Sequence, residues 1–187
     1  MEHQKFAYEK TEYGYIANVN VEKIVEMLKS FISVQEGLVF FFLEIPSNLN
    51  DENEIRTGVL DSTHKDIYYM DSLNKEEAFR ILDTSGELLA NDGLTSFGFG
   101  SQNTGDEIGV GKYNIVTIFA QGNNSYDDLF GKFDITETKK LVTAWDTFTS
   151  ETPGRSEKIS IDGKDVYSFI EDFKAWGLYF AERREDN

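Results

Sequence analysis

The segment Leu38-Val39-Phe40-Phe41-Phe42-Leu43-Glu44-Ile45 contains the longest apolar run in this chain of 187 residues. Six consecutive apolar residues are far fewer than the roughly 20 that a membrane-spanning helix needs. They are typical of a strand at the centre of a sheet that is covered on both faces. Pro46 follows and is expected to end the strand, because proline cannot donate to the ladder.

An amphipathic helix is predicted on each side of this strand along the chain. After Asn20, a suitable N-cap, apolar residues follow the i, i+3, i+4, i+7 spacing, and the segment ends at Gly37. The second helix starts after Asn74, which forms an N-x-x-E capping box with Glu77. It is expected to stop at Gly93 in the left-handed conformation.

Other segments rich in branched and aromatic residues are predicted to be strands. They comprise residues 6–8 running on into 13–19, 66–70, 94–100, 113–120 and 141–148. Two loops connect them: a polar loop over 47–65 with a short edge strand at 55–60, and a glycine-rich hairpin loop over 101–111.

The last part of the chain predicts a short helix, a hairpin and then a terminal pair of elements. The short helix begins after Ser125, and Asp162-Gly163 is a strong turn signal between 159–161 and 166–167. Aromatic residues at i, i+4, i+7 and i+11 from Phe169 predict a helix that ends near Ala175, followed by a closing strand.

This order of elements mixes hairpins with helical crossovers, which is typical of α+β proteins. We therefore expect one domain over residues 1–187. Its sheet should be largely antiparallel and built from β-α-β-β units, with helices packed on one face. No Ser-, Gly- or Pro-rich linker and no change in composition divides the chain, which has only 2 Pro.

Composition narrows the classes of partner. The 34 acidic and 18 basic residues give a formal charge of −16, which repels nucleic acid and anionic membranes, so neither is an expected partner. The absence of Cys excludes disulfides and a thiol nucleophile and suits the cytoplasm. The oligomeric state does not follow from these numbers.

Three patterns suggest chemistry, but none fits a known site. The glycine-rich stretch 105–112 lacks the Walker spacing, and its carboxylates would repel phosphate. His64, near Asp61 and Asp66, belongs to a chain with 2 His and no Cys, too few for a zinc site. The acidic pair Asp127-Asp128 does not match a calcium loop. We therefore predict no catalytic residue, no metal and no cofactor.

High acidity combined with many aromatic residues favours capture of a basic protein. The loops are expected to present the binding residues: Asp106 and Glu107 in the glycine-rich loop, and Asp51, Glu52 and Glu54 in the first long loop. Together these five residues would form an acidic rim. Aromatic residues near Trp145 and over 169–180 are expected to be mainly core, with interface anchors as the alternative.

In its small size, acidity, lack of cysteine and α+β pattern, the chain resembles the immunity proteins of bacterial toxin systems. Those proteins bind and block a basic nuclease or similar toxin domain made by the same cell. The resemblance implies a bacterial inhibitor of a basic toxin domain. It transfers no functional residue and implies no topology.

Three alternatives remain open. A small-molecule-binding or regulatory domain would cluster its aromatic residues inside a cleft, whereas a protein-binding surface would show a flat aromatic patch rimmed with carboxylates. An enzyme would place His64 at the mouth of a pocket beside Asp61 or Asp66. A DNA mimic would arrange carboxylates in rows like phosphates.

Overall fold

The computed structural model describes residues 6–47, 64–121 and 124–185, and the backbone alone of 53–56 and 59–61. The described helices are α1 Val21–Val34, α2 Lys75–Asn91, α3 Asp127–Lys132 and α4 Val166–Lys174. The described strands are β1 Ala7–Thr11, β2 Gly14–Asn18, β3 Val39–Pro46, β4 Asn53–Arg56, β5 Val59–Asp61, β6 His64–Leu73, β7 Ser96–Ser101, β8 Glu107–Val110, β9 Ile115–Phe119, β10 Thr136–Glu137 and β11 Tyr179–Glu185.

Nine of these strands form one sheet in the order β10-β1-β2-β9-β8-β7-β3-β6-β11. All neighbouring pairs are antiparallel except β1 and β10, which are parallel. The prediction of an α+β domain with a largely antiparallel sheet is confirmed. The expected edge strand at 55–60 is instead a separate ribbon made of β4 and β5.

Strand β3 lies between β7 and β6, so its predicted central place is confirmed. Its alternate residues Val39, Phe41, Leu43 and Ile45 are buried, and they define the inner face of the sheet. The intervening residues, among them Phe40 and Phe42, are half-buried and define the outer face. The described helices pack on the inner face, as predicted. The outer face is partly covered, since Phe40 and Phe42 are half-buried there and Ile67 of β6, on the same face, is buried.

All four described helices contribute to one core with the inner face. In α3, the ring of Phe130 stacks on Tyr8 of β1 with centroids 4.3 Å apart. In α4, the ring of Phe169 lies 5.9 Å from that of Phe41.

Among the described helices, none combines the length and the apolar composition that a membrane-spanning segment requires.

The predicted starts of the two long helices are confirmed. The Asn20 side chain accepts from the backbone N of Glu22 at 3.0 Å. The capping box of α2 is complete, with the Asn74 side chain accepting from Glu77 N and the Glu77 carboxylate accepting from Asn74 N, both at 2.9 Å. These caps satisfy N–H groups that the first helical turn leaves without partners.

The end of α2 differs from the prediction, because Gly93 does not take the left-handed conformation. Instead Asp92 turns the chain by accepting from the backbone N of Leu94 and Thr95 at 2.9 and 3.1 Å. Glycine is required at position 93 because the backbone of Glu157 lies too close to leave room for a side chain. A Cβ at this position would lie 2.7 Å from the backbone N of Glu157.

Two predicted strands and one predicted loop differ from the structure. Residues 6–19 form the hairpin of β1 and β2 rather than one strand, and the expected loop 101–111 contains β8. No strand forms over 141–148. There the Asn18 side chain donates to Val142 O at 2.7 Å, and a capping box between Thr143 and Asp146 starts a short 3₁₀ helix over 144–147.

The end of the chain follows the prediction more closely. The turn at Asp162-Gly163 is present, with φ of 51° and 77°. The second strand of that hairpin is replaced by α4, because Asp165 caps a helix that begins at Val166. Helix α4 has Ala175 at its C-cap and is followed by β11, so the predicted helix and closing strand are confirmed. The short helix after Ser125 is α3.

We predict that Gly98→Ala lowers the free energy of unfolding by about 2 kcal/mol or more, because the closely packed outer face at this glycine cannot take an extra carbon without shifts. The new Cβ would lie 2.0 Å from Ile108 O and 2.6 Å from Cζ of Phe42. Gly109→Ala is the matched control on the same face, since its Cβ would meet Phe42 at an ordinary 3.4 Å. Urea denaturation of both variants measures the difference, and equal losses would contradict this packing.

Candidate functional site

The outer face carries a flat aromatic surface because two glycines of β7 make room for two phenylalanines of β3. The β3–β7 register places Phe40 opposite Gly100 and Phe42 opposite Gly98. A Cβ on Gly100 would lie 2.1 Å from Cζ of Phe40, and one on Gly98 would lie 2.6 Å from Cζ of Phe42. The two rings therefore lie across the glycine positions instead of projecting away from the sheet.

The aromatic surface continues across β6 and β11. The ring centroid of Tyr69 lies 6.1 Å from that of Phe40 and 6.5 Å from that of Tyr179. Tyr179 is 46% exposed, and its hydroxyl donates to Asp71 Oδ2 at 2.6 Å. We call Phe40, Phe42, Tyr69 and Tyr179 the aromatic row.

Three glutamates surround the aromatic row on the same face. Glu107 pairs with Gly100, Glu44 is on β3 two residues after Phe42, and Glu182 on β11 pairs with Ile67. Burial raises the pKa of Tyr69, and so do the negative charges of Glu107, Glu44 and Glu182. Arg184 acts in the opposite sense and forms an ion pair with Glu182. The row therefore lies in a mainly negative field.

Glu107 was predicted as a binding residue, and the structure places it on the outer face beside the aromatic row. It is half-buried, and this burial raises the pKa of its carboxyl group. A carboxylate held where ionisation is disfavoured reduces stability at neutral pH. Such residues are common at functional sites, where the lost stability is tolerated for the sake of binding or chemistry.

Asp106 was predicted in the same exposed rim, and the structure corrects this: its side chain is completely buried. The carboxylate accepts from Gln121 N and from Asn124 Nδ2, both at 2.8 Å, and from the Tyr126 hydroxyl at 2.7 Å. Gln35 donates to that hydroxyl in turn at 3.1 Å. Asp106 thus ties the segment after β9 to the end of α1 and takes no part in a surface rim.

The alternation of the chain explains this difference between neighbours. Successive side chains of a strand point to opposite faces of the sheet. Asp106 therefore lies on the same side as the buried Ile108 and Val110, whereas Glu107 lies on the same side as the half-buried Gly109. If residues 107–110 had been predicted as a strand, the alternation of side chains would have placed the two carboxylates on opposite faces. The prediction of a loop over 101–111 gave no reason to distinguish them.

The remaining acidic residues of the predicted rim are not placed by the structure. Asp51 and Glu52 lie outside the described residues, and Glu54 is in β4, where only the backbone is described. What the described chain does bring together is Glu107 with Glu44 and Glu182, two residues that sequence reasoning did not select. The sequence could have indicated them through the alternation of side chains along β3 and β11, which places both residues on the outer face.

His64 has two proposed carboxylate neighbours, and the side chain of Asp61 lies outside the described residues. Asp66, the other neighbour, is nearly buried and accepts two hydrogen bonds from Arg183 at 2.6 and 2.9 Å. His64 itself pairs across the sheet with Glu185. Within the described residues, no group of three or more His, Cys, Asp or Glu side chains is placed to hold a metal ion.

Both tryptophans lie at the surface, contrary to the expectation of core positions. Trp145 is 55% exposed and makes edge contacts with Tyr113 and Phe148 at ring centroid distances of 4.9 and 5.6 Å. Trp176 is 47% exposed and borders a cavity of about 680 Å³ between α2 and α4. Phe169 and Phe173 are buried as expected.

Comparison of this chain with known protein families, with curated proteins and with solved structures found no match.

We predict that Asp106→Ala lowers the free energy of unfolding by about 3 kcal/mol or more, because each buried donor left unsatisfied costs about 1–3 kcal/mol. Asp106→Asn keeps one acceptor oxygen and should lose less. Glu107→Ala, at the adjacent residue, should not destabilise the fold. Chemical denaturation of the three variants measures these values, and a harmless Asp106→Ala would show that the buried network has no structural role.

Glu107 also gives a pH-dependent prediction. Its pKa is higher in the folded chain than in the unfolded chain, so its contribution to stability is present at low pH and lost as pH rises through the folded pKa. Glu107→Gln should therefore have a higher Tm than the wild type at neutral pH, and the difference should vanish below about pH 4. Thermal unfolding across that range measures it. A wild type more stable than Glu107→Gln at neutral pH would be the opposite result.

Proposed function

We propose that this protein is a binding module that captures a basic protein on the outer face of its sheet. The observation that carries the proposal is the aromatic row with Glu44, Glu107 and Glu182 around it. A flat aromatic patch bordered by carboxylates is the arrangement expected for a protein partner. A small molecule would be expected to bind in a concave, mostly enclosed site.

The geometry of the row supports a partner of protein size. Its rings follow one another across β3, β6 and β11 at spacings of 6.1 and 6.5 Å, and they lie along the sheet rather than around a cleft. Aromatic side chains of this kind provide large contact areas at low entropic cost, which is why they dominate energetic hot spots. Arginine or lysine side chains of a partner can stack on the ring faces.

The charge supports a basic partner. A formal charge of −16 attracts cationic proteins over long distances and raises the rate of encounter. Glu44, Glu107 and Glu182 then offer charge complementarity at short range, which fixes orientation and excludes acidic competitors.

The resemblance to immunity proteins gives the proposal a specific form. In that form, the chain is a cytoplasmic bacterial protein that blocks a basic toxin domain. The blocked surface would be cationic, as the surfaces of nucleases are where they hold a phosphate backbone. This form of the proposal is supported by the net negative charge of the chain and by the aromatic row with its three glutamates on the outer face.

The experiment starts with affinity capture from the host lysate at low salt, with the retained protein identified by mass spectrometry. The purified partner is then tested against Glu44→Lys/Glu107→Lys and a control, Glu36→Lys/Glu87→Lys, which makes the same change in net charge at exposed residues elsewhere. We expect the outer-face variant to slow association at least about tenfold and to flatten its salt dependence.

The control separates the site from the overall charge. If both double variants slow association equally, net charge alone acts and the outer face is not the binding site. If no basic protein is retained in stoichiometric amount, the proposed function is wrong.

A further inference from the structure

Strand β11 is a long and accessible edge of the sheet. It has seven residues, all exposed, and in the described part of the chain its only neighbouring strand is β6. The opposite edge, β10, has only two residues. Because an edge strand presents backbone N–H and C=O groups that can pair with another chain, β11 is the described edge best suited to add a further strand.

The register with β6 fixes the faces on which the charges of β11 lie. Glu182 pairs with Ile67 and Arg184 with Lys65, so both lie on the outer face, where they form an ion pair with each other. Arg183 lies on the opposite face and is engaged by Asp66. The outer side of this edge therefore carries one acidic and one basic residue, two positions apart.

We infer that two copies of this chain associate through β11 in antiparallel orientation, about a two-fold axis at Arg183. This register places Glu182 opposite Arg184 of the second copy, and Arg184 opposite Glu182 of the second copy. On the other face it places Arg183 opposite Arg183 of the second copy, and each of these charges is compensated by Asp66 of its own chain. The two-fold axis thus forms the same attractive pair twice on one face, and directly opposed residues of unlike charge stabilise antiparallel strands. All the residues involved, 181–185, are described.

The overall charge argues for this edge among all surfaces of the chain. Two copies with a charge of −16 repel each other over most of their surface. Residues 182–185 contain two Glu and two Arg and are locally neutral.

The association would engage Glu182 but would leave Glu44 and Glu107, on β3 and β8, outside the contact. An axis perpendicular to the sheet keeps the two outer faces on the same side, so a dimer would present two aromatic rows in one extended surface. The inference does not depend on the proposed function, because it rests on the strand edge and its charges.

A pair of complementary variants tests the register. In Glu182→Arg, two arginines would face two arginines across the axis, and in Arg184→Glu, two glutamates would face two glutamates. Each variant alone should remain monomeric. Mixed in equal amounts, they form Arg–Glu pairs at both positions, so the mixture should form a heterodimer. Glu87→Arg, on α2, is the control for the change in net charge and should dimerise like the wild type.

Sedimentation velocity over a concentration series gives the readout. We expect the wild type to approach twice the 21.4 kDa of one chain, the single variants to stay at that mass, and the mixture to recover dimers. A wild type that stays monomeric at every concentration overturns the inference. Single variants that still dimerise, or a mixture that stays monomeric, also overturn it, because the contact would not follow this register. Circular dichroism confirms that each variant is folded.

Discussion

The close packing of Phe40 and Phe42 against Gly98 and Gly100 is the contact on which the two-sided character of this sheet depends. A side chain on either glycine would occupy the space of a ring, as the distances of 2.1 and 2.6 Å to the two Cζ atoms show. With glycine there, the rings lie flat and form a continuous surface with Tyr69 and Tyr179. The same strand, β7, sends Phe97 and Phe99 into the core. One alternation of Phe and Gly therefore builds the core on one face and a flat aromatic surface on the other.

The same alternation divides the roles of neighbouring carboxylates. Asp106 enters the interior, where three donors satisfy it, and it fixes the chain after β9. Glu107 faces outward beside the aromatic row at a cost in stability. Two adjacent acidic residues that are alike in composition thus contribute to different properties, one to the fold and one to the surface. Counting charges along the sequence cannot distinguish them, whereas strand parity can.

Elements determined by local patterns were predictable from the sequence. The Asn74 and Glu77 capping box and the apolar spacing after Asn20 gave the two long helices, and the aromatic spacing from Phe169 gave α4 and then β11. The elements missed depend on distant contacts. Strand β8 has only four residues and follows the glycine at position 105, and its neighbours β7 and β9 hold it in the sheet. Residues 141–148 look like a strand, but side chains of β1 and β2 hold them as an irregular segment, with Glu9 accepting from Leu141 N at 2.6 Å and Asn18 donating to Val142 O.

Hydroxyl-radical footprinting of the free protein tests most directly whether the two faces of the sheet differ as described. Tyr69, Tyr179 and Phe42 on the outer face should be oxidised, while Phe41, Phe97 and Phe99 on the inner face should be protected, although these residues share strands or lie on neighbouring ones. That pattern would establish an accessible aromatic row on a sheet whose other face forms the core. Equal protection of both sets would contradict it, because the outer face would then be covered and unable to receive a partner.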